Sequence, residues 1–189
     1  AAADDAYQEF AVRFLNGDYR SADPERGRFR SFLKTILYRL VVEHHRGQKR
    51  RRTQRAKGDF PDLAAPDTTE NDQNFQQTWC DELLHRAWAA LQAEETSTGR
   101  PLFSVMRAKV DNPDATSTEL AAQVSGKLEK PVSVSNLRVM LHRSRETFAK
   151  LLLEEVADTI DEPTRNDVEE ELIELGLLEY CRPALEALQ

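Results

Sequence analysis

At 189 residues, with 31% charged and 40% hydrophobic residues, the chain has room for one ordinary domain or two small ones, each with a modest core. Two distant cysteines, Cys80 and Cys181, lack a Cys-x-x-Cys companion and suggest neither a disulfide framework nor a thiolate zinc site, and no apolar run approaches the roughly 18 to 20 residues that span a bilayer. The net charge of −7 conceals a segregation: Arg26 to Lys57 holds twelve Lys or Arg against one acid, Glu43, a local balance of +11 that leaves −18 for the remainder.

Few glycines and prolines, with Ala, Leu, Glu and Arg dominating the apolar and charged runs, favour helix throughout, so an all-α protein is expected. From Asp4 to Leu15 the apolar positions Ala6, Tyr7, Phe10, Val12, Phe14 and Leu15 fit an amphipathic helix with an acidic start, ended by Gly17. A longer helix is predicted from about Gly27 to Arg46. There Phe29, Phe32, Leu33, Ile36, Leu37, Leu40 and Val41 recur at the spacing of one buried face, leaving Arg28, Arg30, Lys34 and Arg39 for the others. Between 58 and 73 the pattern dissolves into Asp, Thr, Asn and Pro, which reads as an extended acidic linker between two domains.

Phe75, Trp79, Leu83, Leu84, Trp88 and Leu91 restart a helical stripe, with both tryptophans expected in a core. Leu102 to Val110 gives a short helix before Asn112-Pro113. Thr116-Ser117-Thr118-Glu119 has the form of a capping box, and Gly126 is expected to close that helix. After a turn over 127–132, Ser133 or Ser135 can cap a longer helix that faces Leu137, Leu141, Phe148, Leu151 and Leu152 inward and Arg138, His142, Arg143 and Arg145 outward. That is a helix-turn-helix outline with a turn longer than the usual three to four residues. The tail from Asp161 is acidic, with Val168, Leu172, Leu175 and Leu178 supporting one or two short helices.

Arg46, Lys49, Arg50, Arg51 and Arg52, following a helix that already exposes basic residues, can neutralise several phosphates. In the later basic helix, Asn136 and Arg138 near its start can reach base edges and Arg143 and Arg145 the backbone. His44, His45, His85 and His142 have no metal-site spacing, and the adjacent acids Asp81-Glu82 and Glu94-Glu95 read as surface residues. No nucleophile and base pair or Gly-rich phosphate loop is present, so no catalysis, cofactor, metal or small-molecule substrate is expected. Ala1 to Ala3 lead into Asp4 and Asp5 rather than a basic and then apolar signal, which makes the cytoplasm the expected compartment, with no membrane partner.

Asp5-Ala6-Tyr7-Gln8-Glu9-Phe10 resembles the D-x-x-Q-E-F core-binding helix of sigma factor region 2. Ala22 to Leu33 is similar to the promoter-melting segment of extracytoplasmic-function (ECF) sigma factors of bacterial RNA polymerase. Ser117 to Ala121 and Asn136 to Glu146 resemble the helix-turn-helix of sigma region 4, in the branch often found in planctomycetes. The resemblance implies two small helical domains: a region 2-like bundle over 1–57, without the helix that normally precedes Asp5, and a region 4-like domain over 74–160. An acidic helical extension over 161–189 follows.

It further implies that Asp5, Gln8, Glu9 and Phe10 dock on core RNA polymerase, and that Arg26, Arg28, Phe29, Arg30, Phe32 and Lys34 engage the −10 element. Arg46 and Lys49 to Arg52 would grip phosphates, and Ser135, Asn136, Arg138, His142, Arg143 and Arg145 would serve the −35 element of promoter DNA. An anti-sigma factor is a further candidate partner. The acidic tail is a candidate cover for the basic helix when polymerase is absent. The competing reading is a helical adaptor or sigma-like regulator that binds polymerase or another protein without selecting promoters.

Overall fold

The computed structural model describes residues 2–17, 19, 29–55 and 68–187, with the side chains of 2–6, 44–55 and 68–71 outside that description. All regular structure among the described residues is helical: α1 (Ala2–Leu15), α2 (Phe29–Arg55), α3 (Thr68–Thr98), α4 (Leu102–Asp111), α5 (Ser117–Leu128), α6 (Val134–Ala157), α7 (Arg165–Leu175) and α8 (Leu178–Glu186). The chain divides into two compact units, residues 1–75 and 76–189. α3 starts at Thr68, inside the stretch expected as linker, whose residues 58–67 are outside the described residues.

In the first unit, α1 ends where Asn16 and Gly17 donate their amides to Val12 and Phe14; Gly17 adopts a φ of 78°, which a glycine reaches without steric cost. α1 and α2 meet through a row of rings. Phe10 stacks on Phe14 at 6.0 Å and on Tyr19 at 5.8 Å, Tyr19 meets Phe32 edge-on at 6.4 Å, and Phe32 lies 6.4 Å from Phe29. Arg13 ties the helices by bonding Glu9 at 2.5 Å and Glu43 at 3.1 Å, so the lone acid of the basic block has a structural partner.

Ile36 and Leu40 are buried as the periodicity predicts, whereas Phe29 and Val41 are exposed. Phe29 is the first residue of α2, and Val41 lies about 100° around the helix from Leu40. Arg30 corrects the sequence reading: it is only 9% exposed rather than outward-facing. It precedes Leu33 and Leu37 by three and seven residues, so the helical period places it on their side, and its hydrocarbon stem is compatible with that burial.

The second unit has two cores. The larger gathers Leu83, Ala87 and Leu91 of α3, Leu102 and Met106 of α4, Phe148, Leu152, Leu153 and Val156 of α6, Val168, Leu172 and Leu175 of α7, and Cys181 and Leu185 of α8; Trp79 and Trp88 pack against it. Trp88 touches Phe103 and Phe148, at 5.7 and 5.0 Å, and Phe148 meets Tyr180 at 5.9 Å, so one aromatic chain joins α3, α4, α6 and α8. Arg107 lies 5.9 Å above the Trp88 ring. The smaller core holds Val105 and Ala108 of α4, Leu120, Ala121 and Val124 of α5, and Leu137 of α6. α6, about 36 Å long by its 24 residues, contributes to both cores, so its exposed first half is held by the body of the unit.

α7 and α8 belong to that body, and the tail's apolar residues are consumed in the larger core. Thr164 and Asp167 form a capping box at the start of α7, and Gly176 ends it with a φ of 70°. Cys181 is fully buried, and burial pushes its thiol up to about 11. Cys80 is half-buried, its thiol raised by burial and by neighbouring Asp81.

Candidate nucleic-acid interface

The helix-turn-helix is built by local hydrogen bonds that its sequence encodes. Thr116 caps α5, its hydroxyl accepting from the Glu119 amide at 3.3 Å, while the Glu119 carboxylate accepts from the Thr116 amide and hydroxyl at 2.8 Å each. Those bonds hold the Glu119 carboxyl below its ordinary range, the amide of Thr116 contributing most. α5 runs past Gly126 to Leu128, contrary to expectation, and Glu129 closes it in the left-handed region at a φ of 51°.

The connection is therefore the five residues Glu129–Ser133, shorter than expected and still longer than the common turn. Ser125 pins it: its hydroxyl donates to the Ala121 carbonyl at 2.7 Å and accepts from the Val132 amide at 2.9 Å. Ser133 caps α6 by accepting from the Asn136 amide at 3.1 Å.

On α6 the two faces are cleanly separated. Leu137 is buried in the smaller core, and Ser144 is buried with its hydroxyl on the Met140 carbonyl at 2.9 Å. Ser135, Asn136, Arg138, His142, Arg143 and Arg145 are all exposed. His142 lies 3.4 Å from Glu146. Arg145 lies near enough to Tyr180 to favour its phenolate, but burial outweighs this and pushes the phenol up to about 12.

Two polar residues of this region escaped the sequence reading. Arg100 lines a shallow hollow of about 500 Å³ together with Met140, Arg143, Glu146 and Thr147, which sets a second cation beside α6. Glu95, read as a surface acid, accepts the Ser104 amide at 2.8 Å and its hydroxyl at 2.6 Å, supplying from α3 the cap that Pro101 cannot give α4. Neither is marked by local spacing, because each partner arrives through the fold.

In the first unit, Gln8 and Glu9 are exposed and Phe10 is half-buried in the row of rings, while the side chain of Asp5 is outside the described residues. Phe29 is exposed, Phe32 is half-buried, and Arg30 is buried away from solvent. Lys34 pairs with Asp72 at 2.7 Å. Both partners are substantially exposed, so the pair is weak and exchangeable. Arg26 and Arg28 lie outside the described residues. Arg46, Lys49, Arg50, Arg51 and Arg52 lie on the backbone of α2, which continues to Arg55 instead of ending near Arg46; their side chains are outside the described residues.

Among the described residues, no group of three or more His, Cys, Asp or Glu could hold a metal ion, and no helix is long and apolar enough to cross a membrane.

Residues 1–51 match the family model for sigma-70 region 2, a span that takes in α1 and most of α2. No curated protein and no solved structure matches the chain. The match covers about a quarter of the chain, within the first unit.

Proposed function

We propose that the chain is an ECF-type sigma factor of the planctomycete-type branch, which binds core RNA polymerase in the cytoplasm and directs it to promoters with two elements. In this reading Asp5, Gln8, Glu9 and Phe10 contact polymerase. Arg28, Phe29, Phe32 and Lys34 act at the −10 element, and the basic end of α2 neutralises phosphates. Lys34 exchanges Asp72 for the nucleic acid on binding. Arg30, being buried, positions α2 rather than touching DNA. The second unit corresponds to sigma region 4, with α7 and α8 as an added wall, and an anti-sigma factor is a candidate regulator.

The observation that carries this reading is the capped α6, which presents Ser135, Asn136, Arg138, His142 and Arg143 to solvent in the same chain as a region 2 match. The polar groups at its start suit base edges in a major groove, and the arginines suit phosphates. Transcription from a genomic promoter library by bacterial core polymerase, with and without the full chain, tests it. New start sites that share two spaced upstream motifs are expected. Co-elution with polymerase without new starts would instead favour an adaptor.

A further inference from the structure

Val139 stands out on the exposed face of α6. It is 48% exposed, the one large apolar side chain so exposed on this helix, while Leu137 two residues earlier is fully buried. Its neighbours one turn away are Ser135 and Asn136 on one side and His142 and Arg143 on the other, all exposed and all hydrogen-bonding or cationic. Arg138 adjoins it in sequence and is exposed as well.

The chemistry of valine narrows what can cover it. A β-branched side chain in a helix is held in essentially one rotamer, so Val139 can neither fold back along α6 nor extend outward. Whatever buries its methyl groups must come within van der Waals contact of the helix surface, between longer polar and cationic side chains. The floor of a DNA major groove does this: the flanking Asn and Arg reach base edges and phosphates, and the groove's apolar group is the thymine C5-methyl.

Resting on the reading that α6 enters the major groove, we propose that Val139 is a specificity-determining residue that selects thymine in the upstream promoter element by packing against its C5-methyl group. The surrounding cations match the charge of the nucleic acid that brings this methyl to the helix, and an apolar protein partner would have to bury them.

The test uses holoenzyme reconstituted from core polymerase and the full chain, on a promoter selected from the genomic library. Each thymidine of the upstream element is replaced in turn by deoxyuridine, which removes the methyl and leaves every hydrogen-bonding group in place. Wild-type holoenzyme is expected to lose about fourfold in affinity at one position, the worth of one buried methyl group. The Val139→Ala chain should bind the thymidine promoter correspondingly less tightly and be indifferent to that replacement. Because Val139 is exposed, its thermal unfolding should match wild type. An Arg138→Ala chain should bind more weakly while retaining the thymidine preference. If wild type and Val139→Ala respond equally to every replacement, or neither responds, the inference falls while the promoter reading stands. If the chain selects no promoter and binds no DNA, both fall together.

Discussion

The two units solve the problem of the helix surface in opposite ways. In the second, nearly every large apolar residue of the six helical segments is consumed in one of two cores, and what remains outside is polar, with Val139, Val110, Ile173 and Tyr180 as the exceptions. In the first, Ile36, Leu40 and Arg30 are buried among the described residues, while Tyr7 at 71%, Leu15 at 80%, Val12, Phe14, Phe29, Tyr38 and Val41 are exposed. The contrast separates a unit that displays a polar helix face on a packed core from one whose described residues keep several large apolar side chains exposed.

The sharpest way to break this contrast is to dismantle the second unit's body. Deleting residues 161–189 removes Val168, Leu172, Leu175, Cys181 and Leu185 from the core, each worth about 2 kcal/mol of apolar burial, a total comparable to the whole stability of a small domain. The expected outcome is loss of a cooperative unfolding transition for the second unit by circular dichroism. A soluble deletion that melts like the full chain would show that the second unit's core forms without α7 and α8. Leu152→Ala, at a fully buried α6 position, should cost about 3 kcal/mol without that wholesale loss, read from the denaturant midpoint.

Alkali gives a gentler perturbation of the same core. The Cys181 thiol is pushed up from 9.0 to about 11 in the folded chain by burial, so folding favours its protonated form. That contribution is complete below pH 9 and is lost as pH rises through about 11, and Tyr180, pushed up to about 12, adds to the loss at its upper end. Denaturant midpoints should therefore fall across this window and fall less in a Cys181→Ala chain. Native thiol labelling at neutral pH should modify Cys80 before Cys181.

Smaller effects probe the local devices. Thr116→Ala removes the α5 cap and should cost about 1 kcal/mol. Because the Glu119 carboxyl is held low by those bonds, the wild-type advantage should be present near neutrality and shrink as pH falls into the carboxylate range. In the first unit, Asp72→Asn should change thermal stability by less than about 1 kcal/mol, since the pair with Lys34 is exposed. A large loss there would mean that the pair is part of the first unit's framework.

What the sequence revealed and what it hid follow the range of the forces involved. The capping box at Thr116 and Glu119, the Ser133 cap and the burial of Leu137, Phe148 and Leu152 were legible because each depends on residues a few positions apart. The charge of Arg30 points outward in the sequence, yet its register with Leu33 and Leu37 decides its side. The start of α3 at Thr68 was hidden by a polar first turn with no apolar period. Gly126 suggested a helix end, yet Glu129 supplies the left-handed residue, which composition does not announce. Glu95 and Arg100 acquire their roles only when α3, α4 and α6 come together.

The proposal that a polymerase-binding first unit is joined to a DNA-reading second unit can be examined by footprinting holoenzyme on a selected promoter, with the wild-type chain and an Arg138→Ala, His142→Ala double variant. Wild type is expected to protect the upstream and downstream elements, and the double variant, still bound to polymerase, to lose upstream protection. Upstream protection unchanged by the double variant would contradict the proposal, because α6 would then not be the element that reads the promoter.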